Sequence, residues 1–286
     1  MKLPAFEYAC PSSIDEAIAL LDAHEGARAI AGGQSLVPIL AFRLARPPLL
    51  VDLRKLPELD RIAIDGYGVR IGAKVRWREI LDDQRLRAAQ PLLVAAIAHV
   101  AHYQIRNRGT IGGSLAHADP AAELPGIAAT CDAEIAVRGK SGNRTVRTAD
   151  FFLGPLTTVL APHELVTELR FPAWPSRRRW GFDEFALRRG DFALAGVALF
   201  FDLDARGRAH NAHIGALGAV SRPRRLSEAE AALNGRVVDE ATIAETAAAA
   251  ARAVDPSDDL HASAAYRRAL VETLVERTLR RAVAAR

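Results

Sequence analysis

Apolar residues early in the chain keep a helical beat. Ile14, Ala17, Ile18 and Leu21 fall at i, i+3, i+4 and i+7, one face of a 3.6-residue repeat. Ser13 and Glu16 stand at capping-box spacing before that face, and Gly26 sits where a left-handed residue ends a helix. A short apolar run over 27–30 leads into Ala31-Gly32-Gly33-Gln34-Ser35. Residues 36–40 then read as a helix start with Pro38 in its first turn. Leu49-Leu50-Val51-Asp52-Leu53, apolar but for Asp52, reads as a buried strand.

The rhythm restarts near residue 55. Asp65-Gly66 and the run 68–71 predict a hairpin. Residues 91–103 read as one helix, with Leu92, Leu93, Ala96, Ile97 and Val100 on a broad apolar face. A glycine-rich segment, 108–114, follows, then a short helix over 120–130, a hairpin over 134–146 and a strand over 165–171. Two prolines, a serine and three arginines make 172–179 a linker. Beyond it, 192–203 and 209–220 read as strands separated by Arg206-Gly207. The Ala-rich tail from 227 is helical, interrupted near Asp255-Pro256, with Tyr266, Leu270 and Leu274 on one face of its last helix and Val271, Val275 and Leu279 beside it. Strands followed by helices predict an α+β class.

Composition narrows the possibilities. A chain of 286 residues holds about two domains and buries a core without disulfides or metals. The formal charge is +4, supplied almost wholly by arginine, since only Lys2, Lys55, Lys74 and Lys140 are lysines. The arginines are spread along the chain without interleaved aromatics, so no nucleic-acid surface is expected. Cys10 and Cys131, 121 positions apart, form no C-x-x-C pair. They predict a reducing compartment and cannot supply the four thiolates of an all-cysteine iron–sulfur cluster. Pro4 and Glu7 interrupt what would be a signal-peptide core, and no run of 18 apolar residues occurs, so a cytoplasmic chain without a transmembrane segment is expected.

The candidate chemistry lies in two glycine pairs. Gly32-Gly33 and Gly112-Gly113 each follow an apolar residue and precede a small polar one. Side-chain-free bends let a ligand approach the main chain, and successive N–H groups form an anion-binding concavity. Ser35, Thr110 and Ser114 add hydroxyls, and Asp119 and Glu123 add carboxylates able to accept hydrogen bonds from ribose or ribityl hydroxyls. Neither bend is a P-loop or a G-x-G-x-x-G fingerprint. Two bends gripping two phosphates point to a phosphorylated, hydroxyl-rich cofactor. His99, His102, His117 and Asp119 are spaced like a metal site, but capping or burial is the simpler role, and no metal is expected. Arg188-Arg189-Gly190-Asp191 is either a phosphate-positioning segment or a surface turn, and Phe192 either core or cofactor contact.

Ala31-Gly32-Gly33-Gln34-Ser35-Leu36 and Thr110-Ile111-Gly112-Gly113-Ser114, about 80 residues apart, resemble the paired FAD-binding signatures of molybdenum hydroxylase medium subunits, the family of the carbon monoxide dehydrogenase medium subunit and the xanthine dehydrogenase FAD domain. The likeness extends through Gly190-Asp191-Phe192-Ala193 and His261 to Arg268. It implies a two-lobed, PCMH-type FAD-binding domain over 1–175, with lobes of about 1–54 and 55–175. A smaller C-terminal domain over 176–286 would carry a three-stranded antiparallel sheet and helices. It implies that both signatures contact the FAD, that Glu123 or Asp119 meets the ribityl or ribose, and that the main chain near Leu165 and Val166 lies by the flavin ring, with Glu184 where some relatives have lysine. It further implies an electron-transferring FAD subunit with no catalytic acid or base of its own. A small subunit with two [2Fe-2S] clusters and a large molybdopterin subunit would complete a dimer of heterotrimers. A stand-alone flavin oxidoreductase and a non-redox nucleotide-binding module are the alternatives.

Overall fold

The structure, a computed structural model, describes residues 2–285. Its buried side chains gather into three cores. The first lies under a small parallel sheet in which Leu49–Asp52 runs between Glu7–Ala9 and Arg28–Ile30. All four residues of that central strand are buried, as a strand covered on both faces requires. The Ile14–Ala23 helix buries Ile14, Ala17, Ile18 and Leu21 against it. Ser13 accepts from the Glu16 N–H at 3.1 Å, while the Glu16 carboxylate accepts from Ser12 rather than Ser13.

The second core sits on a five-stranded antiparallel sheet in the order Ile62–Asp65, Gly68–Gly72, Leu165–Pro172, Glu134–Gly139, Gly142–Arg147. The Pro91–Ile97 and Glu123–Thr130 helices contribute Leu92, Leu93, Ala96, Leu124 and Ile127 to it. Strand alternation gives Leu165 to the first core and its neighbour Val166 to the second, so one strand ties both together.

The third core packs the Ser227–Leu233, Glu240–Ala253 and Ala264–Ala284 helices on an antiparallel sheet of Arg179–Phe185, Ala195–Leu203 and Ala209–Leu217. The three long strands expected are joined by a two-residue edge strand, Arg224–Arg225.

Several local expectations need correction. The helix expected over 91–103 stops at Ile97: His99 and Val100 donate to carbonyls only three residues back, and Ala101 turns left-handed at φ 39°. A separate turn of helix, Tyr103–Arg106, follows. The helix expected from residue 120 begins at Glu123, because Asp119 folds back to accept the Ala121 and Ala122 N–H groups. The linker is not loose. Arg178, with 9% of its side chain exposed, lies over the rings of Trp174 and Phe200 and donates to Asp202 at 3.1 and 3.0 Å. Its last residue already starts the Arg179–Phe185 strand. In the last helix the buried stripe is Arg267, Val271, Leu274, Val275, Thr278, Leu279 and Ala282; Tyr266 stays half exposed. Cys10 and Cys131 are both free, and burial pushes the Cys131 thiol up to about 12. Among the described residues no helix is long and apolar enough to cross a membrane.

Candidate functional site

The two glycine pairs meet. A side chain on Gly32 would run into the carbonyl of Arg108 and lie 2.9 Å from the Cα of Gly109, so the first turn rests on the main chain that enters the second. Gly109 in turn lies against the Trp77 indole, where an added Cβ would be 2.5 Å from Nε1. Gly112 is pressed against Ala73, with 2.6 Å from an added Cβ to that of Ala73. Gly32, Gly109 and Gly112 are therefore glycine because protein backbone or side chain occupies the space a Cβ would need. Gly33 is glycine for a different reason, its left-handed φ of 72°.

Main-chain hydrogen bonding separates the turns further. Among the described residues, the N–H groups of Gly32, Gly33, Gln34, Ser35 and Leu36 find no protein acceptor; Val37 is the first that does, donating to the Gly33 carbonyl at 3.0 Å. The Gln34 side chain folds back to donate to the Gly32 carbonyl at 3.0 Å, and the Ser35 hydroxyl makes no cap bond. Residues 31–36 are all half-buried. Five successive free donors on a half-buried bend are an anion-binding concavity.

At the second turn the amides are engaged. Ile111 donates to Val75 at 3.0 Å, Gly112 to Ala73 at 2.7 Å, Gly113 to the Thr110 hydroxyl at 3.2 Å and Ser114 to the Thr110 carbonyl at 3.1 Å. Thr110 thus caps the Ile111–His117 helix and is itself buried. What this turn presents outward is Gly113, exposed, with only the Thr110 hydroxyl within 4 Å of an added Cβ. Ser114, half-buried, stands beside it. The expectation that both turns offer free amides is corrected: the first does, and the second offers a bare surface held by the 73–77 segment.

The remaining expected residues lie along the same element path. Ile111 is fully buried beneath the turn. Asp119, half-buried, accepts the Ala121 N–H at 2.9 Å. Glu123 opens the next helix, 8% exposed, without a lysine or arginine partner among the described residues. Burial, and next the charge of Glu184, push its carboxyl up to about 8. Val166 buries its side chain in the second core, opposite Val137, just before a bulge. It can meet a ligand only through its main chain. The adjoining Thr167 carbonyl accepts the Ala73 N–H at 2.9 Å, which links this strand to Gly112 through Ala73.

His99 and Glu184 form a 3.2 Å contact across the junction with the third core, and His99 packs edge-on to Phe182. The bond to Glu184 raises the imidazole pKa. Gly190, at φ 92°, would meet His102 if it carried a side chain, so the 188–191 turn rests on His102. Phe192, next in that turn, is 62% exposed and is not core. Among the described residues no three His, Cys, Asp or Glu side chains converge to hold a metal.

Two contributors had no motif to mark them. Trp77 supports Gly109, and buried Arg267 donates to the carbonyls of Leu194 at 2.6 Å and Gly218 at 3.0 Å, anchoring the chain just after Phe192. An arginine at i−4 to a buried valine, as Arg267 is to Val271, was the available signal.

Comparison with known proteins accords with this geometry. Residues 4–174 match the family described as FAD binding domain in molybdopterin dehydrogenase, and 180–282 that of the CO dehydrogenase flavoprotein C-terminal domain. The chain is 40% identical over 279 residues to the nicotine 6-hydroxylase medium subunit of Paenarthrobacter nicotinovorans, covering 98% of each chain. It superposes on a chain of quinoline 2-oxidoreductase from Pseudomonas putida 86 with a TM-score of 0.95 at 39% identity, covering 99% of both. It also matches carbon monoxide dehydrogenase from Hydrogenophaga pseudoflava with a TM-score of 0.96 at 35% identity, again over 99% of both.

Proposed function

The chain belongs to the family of FAD-binding medium subunits of molybdenum-containing dehydrogenases, and from that premise we propose that it relays electrons from the [2Fe-2S] clusters of a small partner subunit, through its own FAD, to an external acceptor. Substrate oxidation then belongs to a large molybdopterin subunit. The observation that carries the reading is the run of free amides from Gly32 to Leu36 on a turn that rests against Arg108 and Gly109, the main chain entering the second glycine turn. Five donors without acceptors fit a diphosphate, and an open glycine lets it come close.

On this reading Ala31, Gly32, Gly33, Gln34, Ser35 and Leu36 bind the diphosphate through the main chain. Thr110, Ile111, Gly112, Gly113 and Ser114 form the opposing wall, Thr110 through its hydroxyl and Ile111 and Gly112 by supporting it. Asp119 and Glu123 face the sugar hydroxyls, and the main chain at Val166 faces the ring. Bound FAD supplies the exchange between one-electron and two-electron carriers; the protein holds it and tunes its surroundings. We further propose the division into 1–175, with lobes of about 1–54 and 55–175, and 176–286, a dimer of heterotrimers as the assembly, and the cytoplasm as its compartment.

Purified chain mixed with FAD should gain flavin absorbance that survives desalting. A colourless protein would end the reading. Native mass measurement of the complex should find one small and one large partner per copy of this chain. Turnover of a small substrate by the isolated chain would instead support a stand-alone oxidoreductase.

A further inference from the structure

Three of the four lysines are exposed, but Lys74 has only 10% of its side chain accessible. Its ammonium donates to the carbonyls of Arg54 at 2.8 Å and Leu56 at 2.9 Å, and pairs with the Asp60 carboxylate at 2.9 Å. A charge so far from water is tolerated only with partners of this kind. All three lie on the segment 53–60, whose Leu53, Leu56 and Leu59 are buried in the first core. Lys74 itself stands between Ala73 and Val75, which belong to the second core. Two main-chain bonds reinforce the joint, from the Lys74 N–H to the Leu59 carbonyl at 2.9 Å and from the Gly72 N–H to the Arg61 carbonyl at 2.8 Å.

A short path leads from this joint to each glycine turn. Toward the first, Arg54 donates to Asp52 from its main chain at 2.9 Å and from its guanidinium at 2.7 Å. Asp52 pairs in the parallel sheet with Ile30, and the turn starts at the next residue. Toward the second, the Ala73 carbonyl accepts the Gly112 N–H at 2.7 Å and the Val75 carbonyl accepts the Ile111 N–H at 3.0 Å. The two turns touch where Gly32 lies against Arg108 and Gly109. The segments therefore form a ring, with Lys74 at one side and the meeting of the turns at the other. A site built on two segments is only as exact as the groups that hold those segments together.

We propose that Lys74 is a positioning residue for the bound cofactor, fixing 53–60 to 73–77 and so setting how the two glycine turns oppose each other across one FAD. It acts through these segments and not by touching the cofactor. The effect is reciprocal: a joint that strengthens FAD binding must itself be tightened by FAD to the same degree. Lys140 also bridges the first and second cores, through Asp22 at 2.7 Å, but that pair is exposed on the lysine side and contributes little.

This inference rests on the FAD reading, and its test keeps the two apart. Release of FAD from loaded wild type, Lys74→Met and Lys140→Met is followed by flavin fluorescence at a temperature well below the melt of each. Lys74→Met should release FAD roughly tenfold to a hundredfold faster, the factor that goes with losing a hydrogen bond from a charged donor. Lys140→Met should stay within about twofold of wild type. Melts of the FAD-free proteins separate positioning from stability, because a merely structural lysine would lower the melting temperature and leave release below it unchanged. A second measurement needs no substitution: in wild type, FAD should slow hydrogen exchange at the Gly72 and Lys74 amides as well as at the free amides of 32–36. If Lys74→Met does not fold, that exchange decides alone. Release from Lys74→Met at the wild-type rate, or exchange at Gly72 and Lys74 indifferent to FAD, would overturn the proposal while FAD binding stands. Equal acceleration in Lys140→Met would overturn it as well, since any bridge between the cores would then serve. A wild-type chain that takes up no FAD defeats the FAD reading itself, and this inference with it.

Discussion

Gly32 and Gly113 have opposite reasons to be glycine. Gly32 fills a seam against the Arg108 carbonyl, whereas Gly113 faces outward. Gly32→Ala should therefore cost stability, about 1–3 kcal/mol for overpacking, and release FAD because the first turn is displaced. Gly113→Ala would set a methyl 2.9 Å from the capping Thr110 hydroxyl, a side-chain atom that can shift where the Arg108 carbonyl cannot, so it should cost about 1 kcal/mol and bind FAD more weakly. Thermal melts and flavin absorbance after desalting check both; equal behaviour of the two variants would contradict the assignment. Glu123 predicts a pH effect of definite sign. Its carboxyl titrates near 8 in the folded chain against 4.5 ordinarily, so folding gains its full contribution below about 4.5 and loses it as pH rises toward 8. The loss approaches 1.4 kcal/mol per pH unit within that window. Glu123→Gln should be flatter in urea melts between pH 5 and 8.5, and more stable than wild type at the upper end. His99, raised chiefly by Glu184 and in smaller part by Glu123, contributes a loss of the same sign in both proteins, smaller in Glu123→Gln.

Among elements, those fixed by local pattern were legible and those fixed by distant partners were not. The Ile14–Ala23 helix, the Leu49–Asp52 strand and the hairpin of Glu134–Gly139 with Gly142–Arg147 follow from spacing and turn residues alone. The break after Ile97 did not, because the apolar pattern runs on through Val100 and only the left-handed Ala101 ends it. The engaged amides of Gly112 and Gly113 were equally hidden: they depend on Ala73 and on the cap geometry of Thr110. That the two glycine turns belong together could be read; which of them keeps free donors could not. Arg267 belongs to the same class, since its polar partners lie at Leu194, Gly218 and Asp259. Arg267→Met should cost about 3 kcal/mol, because two buried carbonyls lose a charged donor. Hydrogen exchange should quicken in residues 190–195; unchanged protection there would show that another contact fixes the turn.

At the scale of the whole molecule, the segment between the second and third cores works as a clasp. Arg178 lies over the rings of Trp174 and Phe200 and makes a two-pronged bond to Asp202, so the arginine-rich stretch that looked like a tether is ordered by its own tryptophan and by residues beyond it. Limited proteolysis with trypsin should spare Arg178 in the native chain, and a Trp174→Ala variant should be nicked there markedly faster. Rapid cleavage of wild type at that bond would mean the clasp is open in solution.

The contact of Gly32 with the Arg108 carbonyl also bears on how ancestry should be read in such chains. A descendant that had abandoned flavin would still need a bare α-carbon at position 32, because its occupant is the protein's main chain, while position 113 would be held only by the movable Thr110 hydroxyl. Retention of the first glycine is thus a mark of shared architecture, and erosion of the last one the earlier sign of a lost cofactor.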